Sequence, residues 1–163
     1  MKFRHLCVLG ALLAACQSGV AQRGPQAPSL DRSTWALSAV DEDGTDWSAS
    51  TLYLRTGPLD ARGRRPVTGH FCWRSADAHG QEFVQGALDI DGGLQMDGHR
   101  FQRATAEMML SRYAARLTRN RRQLVEGTWG SINPDTLVAP GNWTAHRIRA
   151  DGRDCRFPQV LPR

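Results

Sequence analysis

Residues 111–131 read SRYAARLTRNRRQLVEGTWGS. In the first third, Tyr113, Ala115 and Leu117 alternate with Arg112, Ala114 and Arg116, the period of two that a strand with one buried face requires. A helix competes for the same ground. Residues 105–117 (TAEMMLSRYAARL) are good helix formers, and Met108, Met109, Tyr113 and Leu117 recur at helical spacing. The residues after Leu117 decide between them. The polar stretch 118–122 centres on Asn120, a residue that tolerates the left-handed backbone of a tight turn, and an apolar run then returns through Leu124 and Val125 to Trp129. Strand, turn and strand make a natural hairpin, so a strand is expected from Ser111 with at most a helical turn before it.

The same signals repeat outward in both directions. Short runs rich in Trp, Val, Leu, Phe and Thr lie at residues 34–40, 50–55, 67–74, 82–89, 94–98, 111–118, 123–131 and 142–149. Asp43-Gly44 and Asp91-Gly92-Gly93 punctuate them as turns. Gly69, Gly86, Gly98, Gly127 and Gly141 fall inside or beside these runs, where glycine marks a bulge or a sharp coil. A small closed barrel needs such bends. The expected fold is all-β: a small antiparallel up-and-down barrel of about eight strands, with consecutive strands joined as hairpins.

The chain divides by composition into residues 1–15, 16–33 and 34–163. Residues 1–15 begin with Lys2 and Arg4 and continue into LCVLGALLAA, an apolar run of about ten residues, the length of a secretory signal core. That run is too short to cross a bilayer as a helix. It ends in Leu13-Ala14-Ala15-Cys16. A cut after Ala21, behind the small residues Gly19-Val20-Ala21, is the competing reading and would leave a soluble periplasmic protein. Residues 17–33 (QSGVAQRGPQAPSLDRS) are polar, rich in Pro and Gly and without apolar period, as a linker would be. The remainder is long enough for one domain with a real core.

Of the 163 residues, 21 are basic and 16 acidic. Without Lys2 and Arg4 the excess falls to 19 against 16, too small to argue for nucleic acid. Cys7 leaves with the leader and Cys16 is either modified at its thiol or also removed, so either cleavage leaves Cys72 and Cys155 free to pair. An even pair in an oxidising compartment predicts a disulfide, and so long a closed loop contributes about 4 kcal/mol.

Five tryptophans are many for this length. Most are expected in the core. Trp73, Trp129 and Trp143, each within two residues of glycine or cysteine in a strand, are the candidates for a barrel mouth, where an aromatic face with an indole donor suits an apolar or ring-bearing ligand. Catalytic signatures are missing: no Gly-x-Ser-x-Gly element surrounds a serine. His70, His79, His99 and His146 show no metal-ligand spacing. Asp41, Asp43 and Asp46 (in DEDGTD) depart from the calcium-loop pattern and read as a hairpin turn. Glu82, Asp89, Asp97 and Glu126 are expected to be solvated surface carboxylates. No catalytic residue, metal or cofactor is expected.

The tetrad Leu13-Ala14-Ala15-Cys16 resembles the lipobox of bacterial lipoproteins. The resemblance implies diacylglycerol on the Cys16 thiol and, with Gln17 rather than aspartate next, attachment to the outer membrane facing the periplasm. Several acyl chains make such an anchor durable, since each buried methylene contributes about 0.8 kcal/mol. The segments VTGHFCW, FVQGALD, LVEGTWGS and PGNWTAHRI resemble small lipocalin-like barrels in architecture. The lipocalin Gly-x-Trp signature belongs in the first strand, whereas Gly127-Thr128-Trp129 comes late, so no lipocalin ligand carries over.

These readings lead to a non-catalytic envelope lipoprotein whose barrel binds a small apolar ligand or another envelope protein. The alternative is an inhibitor or immunity protein that blocks a cell-wall-degrading enzyme, since a small disulfide-bonded β-domain on a lipid tether resembles the lysozyme-inhibitor lipoproteins in outline. An open Trp-lined cavity would favour the first, and a filled barrel with an exposed polar loop the second.

Overall fold

The computed structural model describes residues 26–105, 108–135 and 137–157. Cys16 and the leader lie outside these residues. Eight strands succeed one another: β1 (Ser33–Asp41), β2 (Thr51–Thr56), β3 (Arg65–Arg74), β4 (His79–Leu88), β5 (Gly93–Gln102), β6 (Ser111–Leu117), β7 (Gln123–Ser131) and β8 (Gly141–Ile148). Each pairs antiparallel with the next, and β8 pairs back onto β1 through eight residues from Thr34↔Ile148 to Asp41↔Gly141, closing an up-and-down barrel.

The alternation seen in the sequence of β6 is the burial pattern of the strand: Ser111, Tyr113, Ala115 and Leu117 are buried, while Arg112, Ala114 and Arg116 are exposed. The helical alternative fails because Tyr113 and Leu117 can face one core together with Ala115 only at a period of two. Eight strands enclose a space that side chains can fill. Trp35, Leu52, Leu54, Phe71, Leu94, Met96, Leu124 and Trp143 fill it, all nearly inaccessible. Phe71 lies among the rings, 4.5 Å from both Trp73 and Tyr113 and edge-on to Trp143 at 6.0 Å. The outer face of the strands carries charge instead, as in the exposed Arg112–Asp97 pair at 2.8 Å. Charges at such positions would cost a lipid-facing barrel about 2–4 kcal/mol each near the bilayer midplane, so this outer face is built for water.

The packed domain begins before Thr34. Leu30 is wholly buried in the core and Ala27 almost so. The Ala27 N–H donates to the Gly63 carbonyl at 2.9 Å, and the Leu30 N–H to Thr56 Oγ1 at 3.1 Å. Residues 26–32 therefore pack at the end of the barrel where β1 starts, although composition placed them in a linker. A single leucine carries that burial, at about 2–5 kcal/mol for its loss to alanine.

At the other terminus, residues 149–157 run outside the barrel. Cys155 is bonded to Cys72, with 5.5 Å between their Cα atoms and a sequence separation of 83. Gly152 donates its N–H to Thr34 Oγ1 at 3.0 Å, and its carbonyl accepts from His70 Nε2 at 2.9 Å. His70 and Cys72 belong to the outward row of β3. The tail covers that row, which explains why Tyr53, His70 and Phe83 form a second ring cluster outside the core.

Candidate functional site

In an up-and-down barrel alternate connections share an end. Residues 42–50, 75–78, 103–110 and 132–140 join β1–β2, β3–β4, β5–β6 and β7–β8 at one end. There the barrel opens into a cavity of about 270 Å³. That is just under the roughly 300 Å³ at which ligand pockets usually start, so it suits only a small molecule or a head group.

Three indoles wall it: Trp73 at the end of β3, Trp129 near the end of β7, and Trp47 from the β1–β2 connection. Trp47 meets Trp73 nearly at right angles, 79° at 5.8 Å, and Trp73 meets Trp129 at 58° and 5.8 Å. Met108, Met109, Leu137 and Val138 of the longer connections add apolar surface. Trp129 holds its place because its directly paired neighbour on β8 is Gly141. A Cβ there would fall 2.0 Å from the Trp129 ring.

A carboxylate lies at the cavity floor. Glu82 points inward from β4, only 1 % exposed, in the same row as Val84 and Leu88. Its Oε2 accepts from Trp73 Nε1–H at 2.9 Å and from the Tyr113 hydroxyl, and its Oε1 accepts from the Ser111 N–H at 3.1 Å. Gly98 on β5 leaves the space, for a Cβ there would lie 1.9 Å from Glu82 Oε1. Burial pushes the Glu82 carboxyl above its ordinary range, against the pull of Tyr113, Ser111 and Trp73. Burial, and then the adjacent Glu82 charge, push the Tyr113 phenol well above its own, so the hydroxyl keeps its proton and donates. Three donors leave a carboxylate about one further acceptor direction.

A second carboxylate stands at the rim. Asp41, the last residue of β1, accepts from Trp47 Nε1–H at 3.1 Å through Oδ2 and from the Thr45 N–H at 2.8 Å through Oδ1. It thereby fixes both the turn and the indole. Asp46 of the same DEDGTD stretch accepts from the Ser48 N–H at 2.8 Å, and its bonds to Ser48 hold its carboxyl below the usual range.

Of the three tryptophans singled out from sequence, Trp73 and Trp129 meet in this cavity. Trp143 does not line it: the ring is buried in the core and its Nε1–H donates to the Thr128 carbonyl at 3.1 Å. Sequence reasoning missed Glu82, Tyr113, Trp47 and Asp41 as parts of one site. A signal existed for Glu82, whose position in the strand alternation matches Val84 and Leu88.

Elsewhere, His70 Nε2 and the sulfurs of Cys72 and Cys155 lie within 4.8 Å of one another. The sulfurs are bonded to each other and the imidazole N–H donates to Gly152, so these atoms already have partners. Burial lowers the proton affinity of His70, against the opposing pull of the Gly152 carbonyl.

Comparison with protein-family models, with curated proteins and with solved structures gives no match.

Proposed function

We propose that this chain is a non-catalytic lipoprotein of the bacterial envelope, tethered through lipid on Cys16, whose barrel holds a small ligand in its open end. The observation that carries the reading is the cavity itself. In a barrel whose interior is otherwise filled, one end leaves about 270 Å³ walled by Trp47, Trp73 and Trp129. An inhibitor that works by presenting a loop has no use for such a hollow. The ring walls supply apolar contact, and Glu82, braced by three donors, supplies one fixed acceptor.

The tether places the domain at the outer membrane, facing the periplasm, with the polar residues after Cys16 as the spacer. Replacing Cys16 with serine then releases the protein from the membrane fraction and removes the lipid from its mature mass. Unchanged partition and mass overturn the anchor.

The ligand reading is tested by native mass spectrometry of protein extracted gently from its host envelope. An added mass on the order of a few hundred daltons, the scale of a small-molecule ligand, is the expected result. Bare protein, or a kilodalton-scale companion in its place, overturns it, and the companion favours the inhibitor reading.

A further inference from the structure

We propose that the occupant of this cavity is an organic cation, a substituted ammonium group seated against Trp47, Trp73 and Trp129 between Asp41 and Glu82. The inference rests on the ligand-holding reading of the same cavity and narrows it to a chemical class.

The charges of the lining come first. Without Lys2 and Arg4 of the leader the chain carries 19 basic and 16 acidic residues. Among its described residues, the cavity wall includes two carboxylates, Asp41 and Glu82, and no arginine or histidine. A site of one sign inside a chain of the opposite sign selects the charge of what enters.

Hydrogen-bonding capacity points the same way. The three indole N–H groups are all engaged: Trp47 with Asp41 at 3.1 Å, Trp73 with Glu82 at 2.9 Å, and Trp129 with the Ala139 carbonyl at 3.0 Å. The Tyr113 hydroxyl donates to Glu82, and the Ser111 hydroxyl to the Met109 carbonyl at 3.3 Å. An anion or a carbonyl-rich ligand would find the donors of the wall already occupied. What the wall offers is acceptor capacity and ring surface.

Ring surface attracts cations because the face of an aromatic ring is the negative part of its quadrupole, and indole is the strongest of the three side chains in this respect. Three indoles set at 79° and 58° to their neighbours present differently oriented planes around one volume. Ring surface in more than one plane beside a small volume suits the head group of a cation.

The test compares choline with 3,3-dimethylbutan-1-ol, which replaces the charged nitrogen with carbon, and with 3,3-dimethylbutanoate, which carries the opposite charge. The readout is the indole N–H resonance of each tryptophan, followed by NMR during titration of the folded protein. Trp35 and Trp143, buried away from the cavity, are internal controls. Choline is expected to shift Trp47, Trp73 and Trp129 with an affinity at least tenfold above the alcohol, leaving Trp35 and Trp143 in place. Asp41→Asn, which keeps an acceptor for Trp47, is expected to weaken choline severalfold, and Trp47→Leu to weaken it without unfolding the barrel. Equal or tighter binding of the alcohol or the carboxylate overturns the cation and leaves the ligand-holding reading standing. Failure of choline to move the three cavity resonances overturns the cation as well. The mass of the envelope-extracted protein then decides independently whether the cavity holds a ligand of another class.

Discussion

Tyr113→Phe isolates the buried carboxylate, because it removes one hydroxyl and keeps the ring that packs 4.5 Å from Phe71. The lost bond is a phenol donating to a carboxylate that is 1 % exposed. A hydrogen bond to a charged group contributes about 1.5–3 kcal/mol, and one between neutral groups about 0.5–1.5 kcal/mol. For a domain of this size that loss lowers the thermal midpoint by roughly 5–15 °C where Glu82 is ionised. The pH dependence has a definite sign. Folding raises the Glu82 carboxyl above its ordinary value of 4.5, so protonation favours the folded state. The contribution of this group is complete below the unfolded value and is lost as pH rises through the raised folded value. Removing a donor to the ionised form raises the folded value further. The deficit of Tyr113→Phe is therefore largest in mildly alkaline buffer and narrows as pH falls toward 4.5. Urea unfolding followed by tryptophan emission at a series of pH values measures both. A loss below about 0.5 kcal/mol at the alkaline end, the scale of an ordinary surface substitution, refutes the reasoning. So does a loss that stays constant across the series.

Gly98→Ala and Gly130→Ala form a contrasting pair: the first puts a Cβ 1.9 Å from Glu82 Oε1, while the second meets nothing within 4 Å. Calorimetry should show a loss of at least about 3 kcal/mol for Gly98→Ala, combining overpacking with a displaced carboxylate. Gly130→Ala should be neutral or stabilising by up to about 1 kcal/mol. Replacing Cys72 and Cys155 together with serine should cost about 2–5 kcal/mol, and a reducing agent should bring the wild-type melting midpoint down to that of the double variant. Glu126 has φ of 54° at the bulge where β7 changes register against β8. Glu126→Gly should relieve up to about 1 kcal/mol of backbone strain and raise the midpoint, since its exposed partner Arg116 at 3.4 Å contributes little.

The strands were legible where burial alternates at a period of two, as in β6 and β8, and where a tight turn has its own chemistry. The Tyr113, Ala115, Leu117 alternation and the Asn120 turn sufficed to turn a helix-forming composition into β6 and β7. The pairing of Cys72 with Cys155 was legible because they are the two cysteines that follow Cys16 in the sequence. The site was harder to read. Glu82 looks like a surface charge until its place beside Val84 and Leu88 is counted, because carboxylates default to water and only the three donors arriving from β3 and β6 make burial tolerable. Those donors come from residues 73, 111 and 113, and no local pattern reveals that they converge. Leu30 was hidden for the opposite reason, as one apolar residue within a polar stretch. The cover over the outward Tyr53, His70 and Phe83 was not legible either, since only the path of the tail to Cys155 reveals it.

The cavity arises from a difference between the two ends of the barrel. At the end where β1 starts, residues 89–92 and 118–122 are tight turns, residues 57–64 form a longer connection in which Asp60 accepts from the Arg62 and Arg64 N–H groups, and Leu30 is buried in the core. At the other end residues 75–78 form a short connection, while the β1–β2, β5–β6 and β7–β8 connections bring Trp47, Met108 and Val138 to the wall. Strand rows fix the floor, with Glu82 held against Gly98 and Trp129 against Gly141. The connections fix the rim, where Asp41 holds Trp47 by a single hydrogen bond at 3.1 Å. The floor cannot change without disturbing a packed core, whereas the rim can be altered within surface loops. Recognition in this barrel is thus divided: the core sets the acceptor and two ring planes, and the loops set the size and the third plane of what the cavity admits.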